Sequence, residues 1–248
     1  MGFYDTKSGL HCNPYIIIDN GEAVVIDGGS RPEFPVVMKK ILQTGIVPSS
    51  ISTLIYQHYD PDLCGSIRSF EEIINRDDLR VLSEKENNYF IRHYGIKSKL
   101  TDLVDINHKF QFSSGRTLQF IPTPYSHSPG SFITFDQKSG VLFTSDLFGS
   151  YSKEWDLFME LNDECSACND FPSCPVGKKY CQLPDLLDFH RRIMTSNKAL
   201  RYAIKEIIKT PFTIIAPQHG SVINKKEDIQ TICRLLLNLE NVGIDGVC

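Results

Sequence analysis

His58, Asp60 and Asp62 alternate within five residues of the stretch Leu54 to Ser66, with Cys64 two residues further on. Alternate residues of a turn can converge on one point, and an imidazole with two carboxylates so placed forms a cradle for a metal ion. The plain alternative is a polar turn whose acids cap the next helix. Three further positions share the same setting. His127 lies in Pro-Tyr-Ser-His-Ser-Pro-Gly, Asp146 in Leu-Phe-Thr-Ser-Asp-Leu-Phe-Gly, and His219 in Ala-Pro-Gln-His-Gly. Each has an apolar run on one side and Gly or Pro on the other, as expected of a ligand on a loop that a rigid sheet positions. A histidine alone in a loop is more often a hydrogen-bonding residue than a ligand, so the argument rests on the set.

The elements that must carry these loops follow from hydrophobic period. Ile51 to Tyr56 is an apolar, β-branched run that reads as a strand ending at His58, with helix-forming sequence from Ser66 to Asn75. Tyr15 to Asp19 and Ala23 to Asp27 flank Asn20-Gly21, a hairpin signal, and Asp27-Gly28-Gly29 ends the second strand. Further strands are predicted at Leu79 to Leu82, Phe110 to Phe112, Thr117 to Ile121, Phe132 to Phe135, Val141 to Thr144 and Phe212 to Ala216. Helical spacing appears from Glu33 to Thr44, about Glu84 to Tyr94, Pro184 to Thr195, Lys198 to Lys209 and Lys226 to Leu239. This order suits an α+β fold of the αββα sandwich type. No repeat or linker interrupts it, so residues 1–248 are expected to form one domain with a cysteine-rich insertion at about 160–183.

The composition excludes several classes. With 248 residues, 41% of them hydrophobic, the chain can bury a substantial core. A net charge of −4 gives no reason to expect nucleic acid or an anionic membrane as partner. No apolar run approaches the roughly 20 residues that span a bilayer, and the N-terminus lacks a basic-then-apolar signal, so the cytoplasm is the expected compartment. Of eight cysteines, four are clustered as Cys165, Cys168, Cys174 and Cys181. In that setting a cluster reads as metal or redox chemistry before disulfides: one zinc, an iron–sulfur cluster, or a loop of reduced thiols. Cys64 reads as a small buried apolar residue and His190 as a surface or packing residue; His11 and His108 carry no signal.

His58-x-Asp60-x-Asp62 followed by Leu-Cys-Gly resembles the metal motif of the metallo-β-lactamase fold in its diiron form. Hydrolases of that fold carry His-x-His-x-Asp-His and flavodiiron proteins His-x-Glu-x-Asp-His. Here Asp60 stands at the Glu position and Leu63 at that of the last His. The carboxylate at the second position favours iron over zinc. His127, Asp146 and His219 match the remaining flavodiiron ligand motifs in order, and the similarity runs from about residue 15 to 235.

The resemblance implies a metallo-β-lactamase-like fold and two non-haem irons. His58, Asp60 and His127 would hold one iron, Asp62 and His219 the other, and Asp146 would bridge them. Asp27 would support the metal loop. The position left by Leu63 would be open, or filled by Gln57, Tyr59, Tyr125 or His93, with Tyr59, Leu63 and Tyr125 forming the oxygen pocket. The chain ends about ten residues after its last predicted helix with no flavodoxin-like phosphate loop, so no FMN is expected in it. That shape, and the stretch Asp188 to Arg201, resemble the oxygen-binding diiron proteins of bacterial chemotaxis and related sensing. The branch implies oxygen uptake as a peroxo species, a signalling partner protein and a possible homodimer. The alternatives are an oxygen or nitric oxide reductase fed by a separate rubredoxin-like donor, a peroxidase, and a metal-dependent hydrolase.

Overall fold

The computed structural model describes residues 1–5, 9–151, 156–161, 165 and 181–247. A short hairpin comes first, β1 (Phe3–Asp5) antiparallel to β2 (Leu10–Cys12). The first five-stranded sheet holds β3 (Tyr15–Asp19), β4 (Glu22–Ile26), β5 (Ile51–Ile55), β6 (Arg80–Ser83) and β7 (Lys99–Asp102), side by side in that order. Its first pair is antiparallel around Asn20-Gly21 and the rest is parallel. The parallel crossovers carry α1 (Phe34–Leu42), α2 (Pro61–Cys64), α3 (Ile67–Ile74) and α4 (Lys85–Ile91).

The second sheet contains β8 (Lys109–Gln111), β9 (Thr117–Pro122), β10 (Phe132–Asp136), β11 (Val141–Phe143) and β12 (Ile214–Ala216). Strands β8 to β11 form an antiparallel meander, and β12 joins β11 in parallel after α5 (Leu183–Ile193) and α6 (Asn197–Ile208). Helix α7 (Lys226–Leu237) closes the set. Ser196 caps α6 by accepting the Ala199 N–H at 3.2 Å, a contact worth about 1 kcal/mol.

Strand alternation sorts the side chains into an αββα sandwich. Val24, Ile26, Ile55 and Leu82 of the first sheet face Phe110, Leu118, Phe120 and Phe132 of the second, forming the central layer. On the outer face of the first sheet, Ala23, Val25, Leu54 and Val81 meet Val37 and Ile41 of α1, Phe70 of α3 and Ile91 of α4. Ile133, Phe135, Leu142 and Ile215 do the same against α5, α6 and α7. At the end of the sandwich away from the ligand loops, Arg116 bonds Asp136 of β10 and reaches Asp19 of β3 at 3.3 Å, tying the sheets together.

Two elements were not expected from the sequence. The β1–β2 hairpin and β7 are strands of three or four residues, too short for a two-residue period to stand out. The last strand begins at Ile214, not Phe212. Among the described residues no helix is long and apolar enough to cross a membrane.

Candidate metal centre

The ligand loops leave the same end of the sandwich because they follow the carboxyl ends of β5, β11 and β12 and the β9–β10 connection. Hydrogen bonds between the loops fix that end. Gln57, wholly buried, donates through Nε2 to Phe132 O (2.9 Å) and Phe143 O (3.0 Å), joining both sheets beneath the site. Gln218 N donates to Ser145 O at 2.7 Å, which links the β11 and β12 loops.

The His58 loop is shaped by its neighbours. Pro61 opens the single turn of α2, where its missing N–H costs nothing, and the Leu63 and Cys64 N–H groups bond Asp60 O. The Asp27-Gly28-Gly29 corner clamps that turn: Gly29 N donates to Leu63 O, and Ser66 N to Gly29 O. A Cβ on Gly28 would lie 2.6 Å from Phe70, and one on Gly65 2.6 Å from Pro61 O, so both close approaches need glycine. Asp27 itself accepts the Gln57 N–H through Oδ1 at 2.9 Å. Burial, with Asp146 and Asp62 nearby, pushes its carboxyl well above the usual range.

Six predicted ligands meet here. His58, Asp60 and His127 form one group of donors, and Asp62 and His219 belong to a second. Asp146 lies between them. Its Oδ2 is 3.1 Å from His127 Nε2, while its Oδ1 is 3.6 Å from His219 Nε2 and 3.8 Å from His58 Nε2. Asp60 reaches His127 Nε2 at 3.5 Å, and Asp62 reaches His219 Nε2 at 3.2 Å. Asp146 is buried, yet Oδ1 has no hydrogen-bond partner among the described residues. A carboxylate oxygen left so, facing imidazoles from two donor groups, fits a bridging metal ligand.

Electrostatics follow the same geometry. Burial opposes the Asp146 charge, but His58, His127 and His219 hold its carboxyl far below the ordinary range. Burial likewise disfavours charge on His127, while the Asp146 bond and the Asp60 charge lift it to about 9. His58, wholly enclosed, is pushed down by burial. The rings are oriented from behind: His58 Nδ1 shares a 2.9 Å hydrogen bond with Ser145 Oγ, and His219 Nδ1–H donates to His11 O at 2.8 Å. Both contacts leave Nε2 for a ligand, the usual arrangement around metal-binding imidazoles. Positive φ angles at Asp27 (52°), Tyr125 (64°), Ser145 (52°) and Phe148 (67°) concentrate backbone strain around the site.

Other expected site residues are placed as follows. Leu63 is fully buried in the cluster under α1 and α3. Tyr59 stacks on Phe90 with ring centres 4.4 Å apart, and Tyr125 is half exposed, its carbonyl accepting from Thr195 Oγ1. His93 is exposed in the turn after α4. Cys165 is buried and Cys181 packs against the α5–α7 cluster, whereas Cys168 and Cys174 lie outside the described residues. His190 is fully buried on α5, where its ring bonds Leu186 O and the Phe148 N–H.

The sequence reading missed the strand ahead of the first predicted hairpin. In β2, His11 O bonds the back of the His219 ring, and Cys12 Sγ lies 3.8 Å from its Nδ1. Asn13 reinforces the contact by bonding Gln218 O, Pro217 O and Gly220 O. The only sequence-level cue was a polar His-Cys-Asn-Pro run preceding an apolar strand.

Comparison with known proteins agrees with this architecture. A chemotaxis sensor ODP from T. denticola in its apo state superposes with a TM-score of 0.76 at 23% identity, covering 100% of this chain and 97% of that one. A flavo di-iron protein from Thermotoga maritima gives 0.75 at 21% identity, covering 92% of this chain and 53% of that one. By sequence, a flavo-diiron protein of Clostridium acetobutylicum is 27% identical over 154 residues, 62% of this chain and 38% of its own length. The chain spans between about a quarter and a half of the length of the curated relatives it matches. These likenesses establish a metallo-β-lactamase-type fold. The sequence profile of the ODP family beta lactamase matches residues 10–220, and the chain belongs to that family.

Proposed function

We propose that the protein binds oxygen at a non-haem diiron site and serves as a sensor of oxygen or iron. The observation that carries this is Asp146, a buried carboxylate whose two oxygens face imidazoles of both donor groups, with Oδ1 lacking a hydrogen-bond partner among the described residues. His58, Asp60 and His127 would hold one iron, and Asp62 and His219 the other. The mixture of imidazole and carboxylate donors suits iron better than zinc alone. Support also comes from a structural neighbour at 22% identity, described as a peroxy diiron species of the chemotaxis sensor ODP.

When bound, a ferrous pair supplies electrons and open coordination positions for oxygen. The chain's own groups do the rest. Ser145 and His11 O orient His58 and His219, and Asp27 braces the backbone at Gln57. In sequence Leu63 stands where the resemblance to reductases puts a histidine ligand, and its side chain is apolar and buried in the cluster under α1 and α3, offering no donor. Both features favour holding oxygen over reducing it. A signalling partner protein in the cytoplasm would read the state.

Flavo-diiron relatives favour a second reading, a reductase supplied by a separate rubredoxin-like donor. Mixing the anaerobic ferrous protein with oxygen separates the two. A sensor gives a long-lived visible band with no sustained oxygen consumption when NADH and a rubredoxin donor are present. Steady donor-dependent consumption, with no lasting band, would overturn the sensor reading.

A further inference from the structure

We infer that Cys12 supplies a thiolate to the metal ion held by Asp62 and His219. The inference rests on the dimetal reading and adds a ligand to it. Cys12 Sγ, a carboxylate oxygen of Asp62 and a ring nitrogen of His219 all lie within 4.8 Å of one another. A shared metal ion would draw them closer, since metal–sulfur and metal–nitrogen bonds of about 2.3 and 2.0 Å leave the two donors about 3.5 Å apart at a tetrahedral angle.

The backbone holds the thiol in place. On one side, His11 O accepts the His219 Nδ1–H at 2.8 Å; on the other, Asn13 N donates to Gln218 O at 2.8 Å. Both neighbours of Cys12 are thus bonded to the loop that carries His219, and the pairing of Cys12 with Phe3 in the β1–β2 hairpin fixes the strand.

Donor supply explains why a thiol belongs there. The first group offers two imidazoles and Asp60 besides the shared Asp146. The second offers one imidazole and Asp62, because Leu63 contributes no donor and is enclosed in the core. Asp146 Oδ1, buried and without a hydrogen-bond partner among the described residues, lies 3.6 Å from His219 Nε2 and 3.8 Å from His58 Nε2, so it is shared and leaves the second group the poorer in donors of its own. The simpler account of Cys12 is packing. Cys64 and Cys233 are cysteines of that kind, each inside a hydrophobic cluster. Cys12 is as buried, at 3% exposure, but belongs to none of the three clusters and borders polar groups instead. On metal binding the thiol proton leaves to solvent as the sulfur–metal bond forms, with no change of oxidation state.

The test is anaerobic titration of the metal-free protein with cobalt(II), followed in the near ultraviolet where thiolate-to-cobalt charge transfer absorbs. Wild type is compared with Cys12→Ser, Cys12→His, and a protein in which Cys165, Cys168, Cys174 and Cys181 are all serine. The inference predicts a charge-transfer band that survives the fourfold change and vanishes in both Cys12 variants. Cys12→Ser should weaken the second cobalt by at least about 10-fold, the scale of losses on disturbing a metal shell, while Cys12→His retains it. Two cobalts bound with no Cys12-dependent band, or loss of the band in the fourfold variant, overturn the thiolate and leave the dimetal reading standing. A wild type that takes up no pair of ions overturns both.

Discussion

His190 offers a quantitative test of how the site is supported. It is wholly buried on α5, its Nδ1–H donating to Leu186 O at 2.7 Å and its Nε2 accepting the Phe148 N–H at 3.0 Å. Phe148 has a φ of 67° and follows Asp146 by two residues, so the ring pins the backbone that presents the Asp146 carboxylate. Burial depresses the His190 pKa from 6.5 to about 4, against the smaller opposing effect of the Leu186 bond. Because the folded value is lowered, the unfolded chain takes up the proton first as pH falls. The stabilisation is complete above about pH 6.5, declines between about 6.5 and 4, and is gone below. A gap of about 2.5 pH units corresponds to about 3 kcal/mol at 1.36 kcal/mol each. The assay is urea denaturation of the metal-free protein across this range, for wild type and for His190→Gln, which cannot titrate. The difference in unfolding free energy should shrink by about 3 kcal/mol from pH 7 to pH 4, the other titrating groups cancelling. A difference that stays constant with pH would show that His190 is not held neutral, and the bracing role would fail with it.

Further outcomes follow from the same geometry. Leu63→His should shorten the lifetime of the oxygen-induced visible band and raise oxygen consumption when electrons are supplied; equal lifetimes by stopped flow would remove Leu63 from the account. Gln57→Ala, which leaves two buried carbonyls without their donor, should cost about 2–4 kcal/mol in urea denaturation, and a loss under 1 kcal/mol would refute the sheet-joining role. Replacing Cys165 and Cys168 together should remove one metal or cluster while the paired site keeps its two ions; unchanged metal content would make the loop a set of reduced thiols.

The layers of the fold were legible because most strands of the central sheets, β7 apart, alternate or run apolar over several residues, as in Ala23 to Ile26 and Phe132 to Phe135. The site was legible through motif order: His58, Asp60, Asp62, His127, Asp146 and His219 meet although they span most of the chain. What sequence could not give were contacts made by unremarkable residues. Gln57 looked like a ligand candidate, but its amide donates across the two sheets, a role visible only once Phe132 and Phe143 are placed. His190 lay in a charged helical stretch beside Arg191 and Arg192, and its burial comes from the inward face of α5. Cys12 sat ahead of the first periodic strand, and a three-residue pairing with Phe3 to Asp5 leaves no periodic trace.

The central claim is that these six side chains hold a pair of iron ions, and elemental analysis of protein purified anaerobically from iron-replete cells tests it most directly. Wild type should carry two irons per chain at this site, in excess of zinc, and Asp146→Ala should lose iron from both positions because its carboxylate serves each. Two zincs with no iron, or an Asp146→Ala protein that keeps both irons, would contradict the account.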